Sequence, residues 1–323
     1  MWSLETGNAC NALALATTQP IVFVGEEGGA VSCWDTKRGQ QVLTHPSVVG
    51  TCTALHIAND PADPVLIAGG RDGKLAACRH PADPERSYLV TAFDALQPSL
   101  QSPAAPLQKG EHRQSFLEYS PADGCAYAAG QRAEQETPLV AIWDLEKEQS
   151  TSSVPVSGGP ISCLSNPAGA LAVCGLAHGE LVSLDTRTPT RVVQRSKPHS
   201  ARPLGACMRP GGRSSYLATA DASGDVMLFD LRAGSDPIVH TGPCKQGARS
   251  FACHPEASAM ALGSQERRLR LFSLDGTLSS RVKVPAVGGL LPAKDAPVVA
   301  LRFHPARPML AAGASDCSVS FVR

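Results

Sequence analysis

Nucleophiles, bases and metal ligands are abundant in this chain, so their spacing decides what chemistry they could do. The segment Gly69-Gly-Arg-Asp-Gly73-Lys74-Leu75 comes nearest to a phosphate cradle, in which backbone N–H groups of a glycine-rich loop face an anion. Its first glycine stands one residue too close, and Leu75 occupies the place of the magnesium-binding Ser or Thr, so it reads as a turn. H-E-x-x-H and G-x-S-x-G do not occur, and no Cys/His group has zinc-site spacing. Four of the nine histidines (His45, His80, His254 and His304) precede proline, which points to turn formation rather than ligation. The eleven cysteines include no C-x-x-C pair, and several lie in apolar runs, such as Cys174 and Cys33. An odd, scattered set suits a reducing compartment, so a cytoplasmic location is expected. No catalytic residue, cofactor, metal or small-molecule substrate is expected, and the chain reads as a non-enzyme.

Composition narrows the remaining classes. Among 323 residues, 29 basic and 29 acidic side chains cancel, which excludes the broad basic footprint of a nucleic-acid binder. With 43% hydrophobic and 18% charged residues the chain can build a real core. The first Lys or Arg is Lys37, so no signal peptide is expected, and no apolar run is long enough for membrane insertion. The stretch from Glu266 to Arg323 is mildly basic, including Arg267, Arg268 and Arg270, and alternate exposed positions of an edge strand explain that as well as an anionic partner does. Twenty-nine Gly and 26 Pro mark many turns.

Those turns punctuate a repeat. An apolar strand, a short polar or Gly turn and a second strand recur seven times, ending at residues 35, 79, 144, 185, 230, 273 and 323. The separations of 44, 65, 41, 45, 43 and 50 residues centre on the roughly 40–45 residue period of four-stranded propeller blades. A turn glycine recurs six residues before the end position, as Gly29, Gly73, Gly179 and Gly224, where a tight hairpin needs φ > 0. Upstream lies another short strand, often ending in a Pro turn, as in Ala252-Cys-His-Pro255 and Leu301-Arg-Phe-His-Pro305. Trp34-Asp35 and Trp143-Asp144, with Leu184-Asp185 and Phe229-Asp230 as degenerate copies, resemble the dipeptide that closes the third strand of a WD-repeat blade. The Trp is then an apolar plug between blades, and the Asp an acceptor for nearby backbone N–H groups. The expected fold is an all-β, seven-bladed WD-repeat β-propeller with four antiparallel strands per blade. It forms a single unit over residues 1–323, with the N-terminal strand, Trp2-Ser-Leu4, completing the last blade. Tyr88–Phe93 reads as the outer strand of blade two, followed by an exposed loop insertion at about 97–112, and Gln131–Thr137 lengthens a turn in blade three.

The chain as a whole resembles the C-terminal WD-repeat propeller of Raptor, the regulatory-associated protein of the TOR kinase. Leu89-Val-Thr-Ala-Phe-Asp-Ala-Leu96, Gly224-Asp-Val-Met-Leu-Phe-Asp-Leu-Arg232 and the segments Phe251–Pro255 and Pro297–Pro305 carry the likeness. The low aromatic content and the Gly/Ala-rich segment Val284–Ala296 mark a divergent relative. The resemblance implies a scaffold whose partners are proteins of the first TOR kinase complex, in nutrient-responsive growth control. It also implies one module of a longer protein, since the family's caspase-like domain and helical repeats lie upstream. No partner-binding residue is carried over. An alternative is a WD-repeat substrate receptor of a cullin-based ubiquitin ligase, for which Trp34-Asp35-Thr36-Lys37, Leu184-Asp-Thr-Arg187 and Phe229-Asp-Leu-Arg232 are the pertinent segments. Removal of residues 1–8 is expected to lower the thermal midpoint measured by circular dichroism; an unchanged midpoint would argue against closure by that strand.

Overall fold

Seven four-stranded antiparallel sheets make up the computed structural model. It describes residues 2–46, 49–58, 60–96, 115–131, 137–165, 171–188, 192–211, 214–232, 236–285 and 296–323. The expected loop at 97–112 and most of the turn at 131–137 lie outside the described residues. In six blades the strands follow one another from the innermost outward; blade one, for example, runs Cys10–Leu15, Ile21–Glu26, Val31–Asp35, Gln40–His45. The innermost strands touch in cyclic order, blade one against blade two and onward until blade seven meets blade one again.

Burial follows from this stacking. A middle strand is covered on both faces by neighbouring blades, so Ile21–Glu26, Leu171–Leu176 and Val31–Asp35 are buried almost without alternation. Outer strands such as Gln40–His45 and Leu278–Lys283 are largely exposed and polar. Seven apolar clusters result, one at each junction between blades. Close stacking needs small residues at contact points: a Cβ on Gly175 of blade four would lie 2.8 Å from the Cβ of Pro203 in blade five.

The seventh blade is built from both ends of the described chain. Trp2–Glu5 pairs antiparallel with Ser318–Val322, with Trp2 opposite Phe321 and Glu5 opposite Ser318. The Trp2 and Phe321 rings stack at 4.0 Å and 13°. Ser3 and Ser320 share a hydrogen bond of 2.7 Å, and Thr6 donates its N–H to the Cys317 carbonyl at 2.7 Å. This closure is as expected, and Leu4, Trp34 and Phe321 meet in the cluster that joins blades seven and one.

The two Trp-Asp pairs behave alike at the Asp and differently at the Trp. Asp35 accepts the N–H groups of Lys37 and Arg38 at 2.7 and 3.0 Å, and Asp144 those of Glu146 and Lys147 at 3.1 and 3.0 Å. Trp143 plugs the junction of blades two and three at 2% exposure, and its indole N–H donates to the Ala95 carbonyl at 2.7 Å. The Trp34 indole N–H is buried without a partner among the described residues. Trp143→Phe should therefore cost more stability than Trp34→Phe, because it orphans a buried carbonyl at about 1–3 kcal/mol in addition to the lost ring volume. Urea unfolding of the two variants checks this; equal losses would remove the hydrogen bond from the account.

Candidate functional site

The Gly69–Leu75 segment is the hairpin of blade two, as its sequence suggested. Gly73 has φ = +85°, and the Lys74 ammonium lies 3.6 Å from the Asp72 carboxylate rather than in an anion cradle. Two of the His-Pro histidines organise turns. His254 Nδ1 accepts the N–H groups of Glu256 and Ala257 at 3.0 and 2.8 Å, and His304 Nδ1 accepts that of Ala306 at 3.1 Å. His45 instead joins two blades: its Nε2 lies 2.8 Å from the Pro81 carbonyl and its Nδ1 3.6 Å from the Cys78 thiol.

The basic stretch requires a correction. Arg268–Ser273 is the third strand of blade six and not an edge, since Leu278–Lys283 pairs outside it. Arg267 is not exposed either: at 2% exposure, in a turn with φ = +56°, its guanidinium bonds the Asp316 carboxylate and the Pro285 and Val284 carbonyls. A buried guanidinium needs such partners to offset desolvation, and they come from blade seven and a loop that its own segment does not reveal.

The channel along the ring axis encloses a cavity of about 560 Å³ lined by the innermost strands of all seven blades. Three charged or titratable side chains from three blades meet there. Arg302 donates to His56 Nδ1 at 3.3 Å, His56 Nε2 lies 3.1 Å from the Leu117 carbonyl, and the Glu118 carboxylate is 3.5 Å from the same ring. Arg302 can only donate, so Nδ1 accepts and the imidazole is neutral with its proton on Nε2. Burial, with the nearby Arg302 charge, lowers the His56 pKa to about 3. Burial raises Glu118 to about 7, the Arg302 charge opposing this only in part. Across the channel, hydrogen bonding from Cys253 lowers the Cys207 thiol, while that partner and burial push Cys253 up.

Outer edges offer a different kind of surface. The last strand of blade two, Tyr88–Asp94, is the edge of its sheet and exposes Tyr88, Leu89 and Val90 at 51%, 50% and 43%. Other exposed large apolar residues, Val42, Val193, Ile238 and Leu278, lie singly on or beside the edges of four other blades. Three consecutive apolar residues on the terminal strand of a sheet offer a surface suited to β-pairing or side-chain docking.

A fourth grouping has no counterpart in the sequence reading: His199, Asp221 and Asp225 converge, buried, at the hairpin end of blade five. Asp221 and Asp225 stand four apart around a Gly turn, which is the only local signal; His199 arrives from the preceding loop.

Comparison with known proteins now adds to this geometry. The family model described as WD domain, G-beta repeat matches residues 288–321. The chain is 27% identical to Regulatory-associated protein of TOR 1 of Arabidopsis thaliana, over 99% of its own length and 23% of that protein. It is 26% identical to Regulatory-associated protein of TOR 2 of Oryza sativa subsp. japonica, over 98% of this chain and 23% of that one. The crystal structure of Chaetomium thermophilum Raptor superposes with a TM-score of 0.84 at 22% identity, over 99% of this chain and 28% of that chain. The chain is thus a seven-bladed β-propeller that is similar in sequence and in fold to the Raptor propeller. It spans about a quarter of the length of the curated relatives it matches. The ligase-receptor reading finds no support in these similarities. The Arg187 side chain pairs with Asp185 at 3.1 and 3.0 Å, and the backbone N–H groups of Lys37 and Arg232 bond Asp35 and Asp230.

Channel electrostatics carry a pH signature. Between its ordinary 4.5 and about 7, Glu118 holds a proton in the folded chain that the unfolded chain has lost, so stability falls as pH rises through this window. His56 acts oppositely between about 3 and 6.5, where the folded chain has shed a proton that the unfolded chain retains. Glu118→Gln should therefore gain stability relative to the parent as pH rises from 4.5 to 7, by at most about 3 kcal/mol, reduced by the solvent it still meets. Urea midpoints across that range test the sign.

Proposed function

We propose that this chain is the non-catalytic scaffold propeller of a Raptor-like subunit of the first TOR kinase complex, acting in the cytoplasm in nutrient-responsive growth control. The observation that carries the proposal is similarity along 99% of the chain to proteins described as regulatory-associated proteins of TOR. The surface supports it. Net charge is zero, and an apolar strand edge is exposed on blade two. In this role the ring is a rigid frame, and its outer edges display surface to other proteins. The edge strand Tyr88–Asp94 is the part assigned to partner contact, because main-chain groups along the edge of a sheet and side chains at alternate positions can be read together.

A tagged full chain purified from cells should recover the TOR kinase or its other subunits. Combined substitution of Tyr88→Ser, Leu89→Lys and Val90→Ser should reduce that recovery at least tenfold, with the urea midpoint changed by about 0.5 kcal/mol or less, as for exposed positions. Recovery of none of these subunits by the parent chain would overturn the proposal. Undiminished recovery by the variant would move the contact elsewhere on the ring.

A further inference from the structure

A thiol and an imidazole meet at a place in the repeat that other blades fill with apolar side chains. Matched through the register of the second and third strands, Trp34, Trp143, Leu184, Phe229, Phe272 and Val322 occupy one equivalent position near the end of the third strand. Blade two has Cys78 there. The residue packed against this position comes from the outer strand of the preceding blade. Leu4 shares a cluster with Trp34, the Phe93 ring lies 4.3 Å from that of Trp143, and Val282 packs against the cluster of Val322. At Cys78 the equivalent residue is His45, which stands opposite Val31 in blade one as Phe93 stands opposite Leu75 in blade two. A repeat requirement for an apolar junction therefore does not account for this pair.

The contacts around the thiol fix where protons can sit. His45 Nε2 is 2.8 Å from the Pro81 carbonyl, which can only accept, so Nε2 carries a proton. Nδ1, 3.6 Å from the Cys78 sulfur, either accepts the thiol proton or, having taken it, donates to the thiolate. The Ser87 hydroxyl lies 3.3 Å from the same sulfur and can donate to it in the second state. The Arg79 carbonyl, at 3.8 Å, is a more distant acceptor for the thiol proton. Pro81 and Ser87 both belong to the turn at residues 80–87, between the third and outer strands of blade two. Burial alone would raise the Cys78 pKa, but the hydrogen bonds with His45 and Ser87 outweigh it and the thiol is lowered. Burial likewise opposes a charge on His45, and the bonds to Cys78 and Pro81 carry its pKa upward. Cys10, Cys33, Cys52, Cys163 and Cys174, buried elsewhere in the ring, are all raised, chiefly by burial. The Cys207 thiol is lowered too, but its bonding partner is the Cys253 thiol and not an imidazole.

We propose that Cys78 is a modification site, a thiol primed for oxidation by hydrogen peroxide, with His45 as its proton acceptor and the Pro81 carbonyl and Ser87 hydroxyl as positioning groups. The imidazole draws off the thiol proton and leaves the thiolate, which is the nucleophilic form. Its sulfur attacks one peroxide oxygen, the O–O bond breaks, and the departing hydroxide takes the proton from His45 Nδ1 and leaves as water. The sulfur is oxidised by two electrons to the sulfenic acid, the peroxide is reduced, and the imidazole returns to its neutral form. Cys78 is half-buried, within reach of so small an oxidant. Its cross-strand neighbour is Leu89, so the oxidised sulfur would lie beside the exposed outer strand of blade two.

The full chain, reduced and then exposed to hydrogen peroxide with dimedone present, should carry the sulfenic-acid adduct at Cys78 before any other cysteine, as read by peptide mass spectrometry. His45→Gln keeps a polar side chain that takes up no proton. It should slow both adduct formation and alkylation by iodoacetamide at Cys78 about tenfold or more, since the thiolate then falls to the few per cent of an ordinary thiol at neutral pH. The parent should also show the ultraviolet absorbance of a thiolate, lost in both Cys78→Ser and His45→Gln; a hydrogen bond that only holds the junction together would not give that signature. An adduct forming at Cys78 no faster than at the half-buried Cys125 or Cys317, or a rate unchanged in His45→Gln, would overturn the proposal and leave a structural thiol–imidazole contact. Should His45→Gln fail to fold, the absorbance of the parent against Cys78→Ser decides alone, and no difference between them overturns the site.

Discussion

The pairing of Trp2–Glu5 with Ser318–Val322 is the constraint on which the ring depends. Every blade buries both faces of its middle strands, so each needs a complete sheet on either side. A seventh sheet lacking its fourth strand would leave Phe321 without its stacking partner and uncover the cluster of Leu4, Trp34 and Val319. That cluster joins blade seven to blade one, and the other six junctions assume the same closed geometry. Sequence-remote ends therefore stabilise contacts that each look local, and the loop-closure cost is met once for the whole circle.

Closure also decides what becomes of polar groups. A charge buried in the ring must find a partner or shift its protonation. Arg267 takes the first course, with Asp316 and two carbonyls around its guanidinium. Glu118 and His56 take the second: they face the axial channel, and the Arg302 charge there counters only part of the cost of burying the carboxylate. The blade-five carboxylates take the first course, Asp221 beside His199 and Asp225 beside His240.

A molecule of this design has little freedom in its core and much at its periphery. Outer strands meet a neighbour on one side only, so their free edges and hairpins can change without disturbing the junctions. Most outer strands use polar residues or one isolated apolar side chain there, which discourages unwanted pairing. Blade two departs from this with Tyr88, Leu89 and Val90 in a row. A surface of this kind suits a scaffold, in which binding adds to a frame already rigid and orders little new chain.

Blade count, strand order, turn glycines, Asp-capped turns and the closing strand were all legible in the residues, because each rests on contacts within a few positions or on a period repeated seven times. Gly73 and Gly224 must adopt positive φ whatever surrounds them, and Asp35 reaches only to Lys37 and Arg38. The misreading of Arg267 as an exposed edge residue shows where such reasoning stops. Its partner Asp316 lies 49 residues away on the next blade, and a one-blade pattern cannot say what the neighbouring blade presents. The same holds for His56, Glu118 and Arg302, which meet across the channel, and for His199 beside Asp221. Local stereochemistry and periodicity thus specify the blades and their turns. The surroundings of each buried charge depend on which blades become neighbours, and that is settled only when the ring is shut.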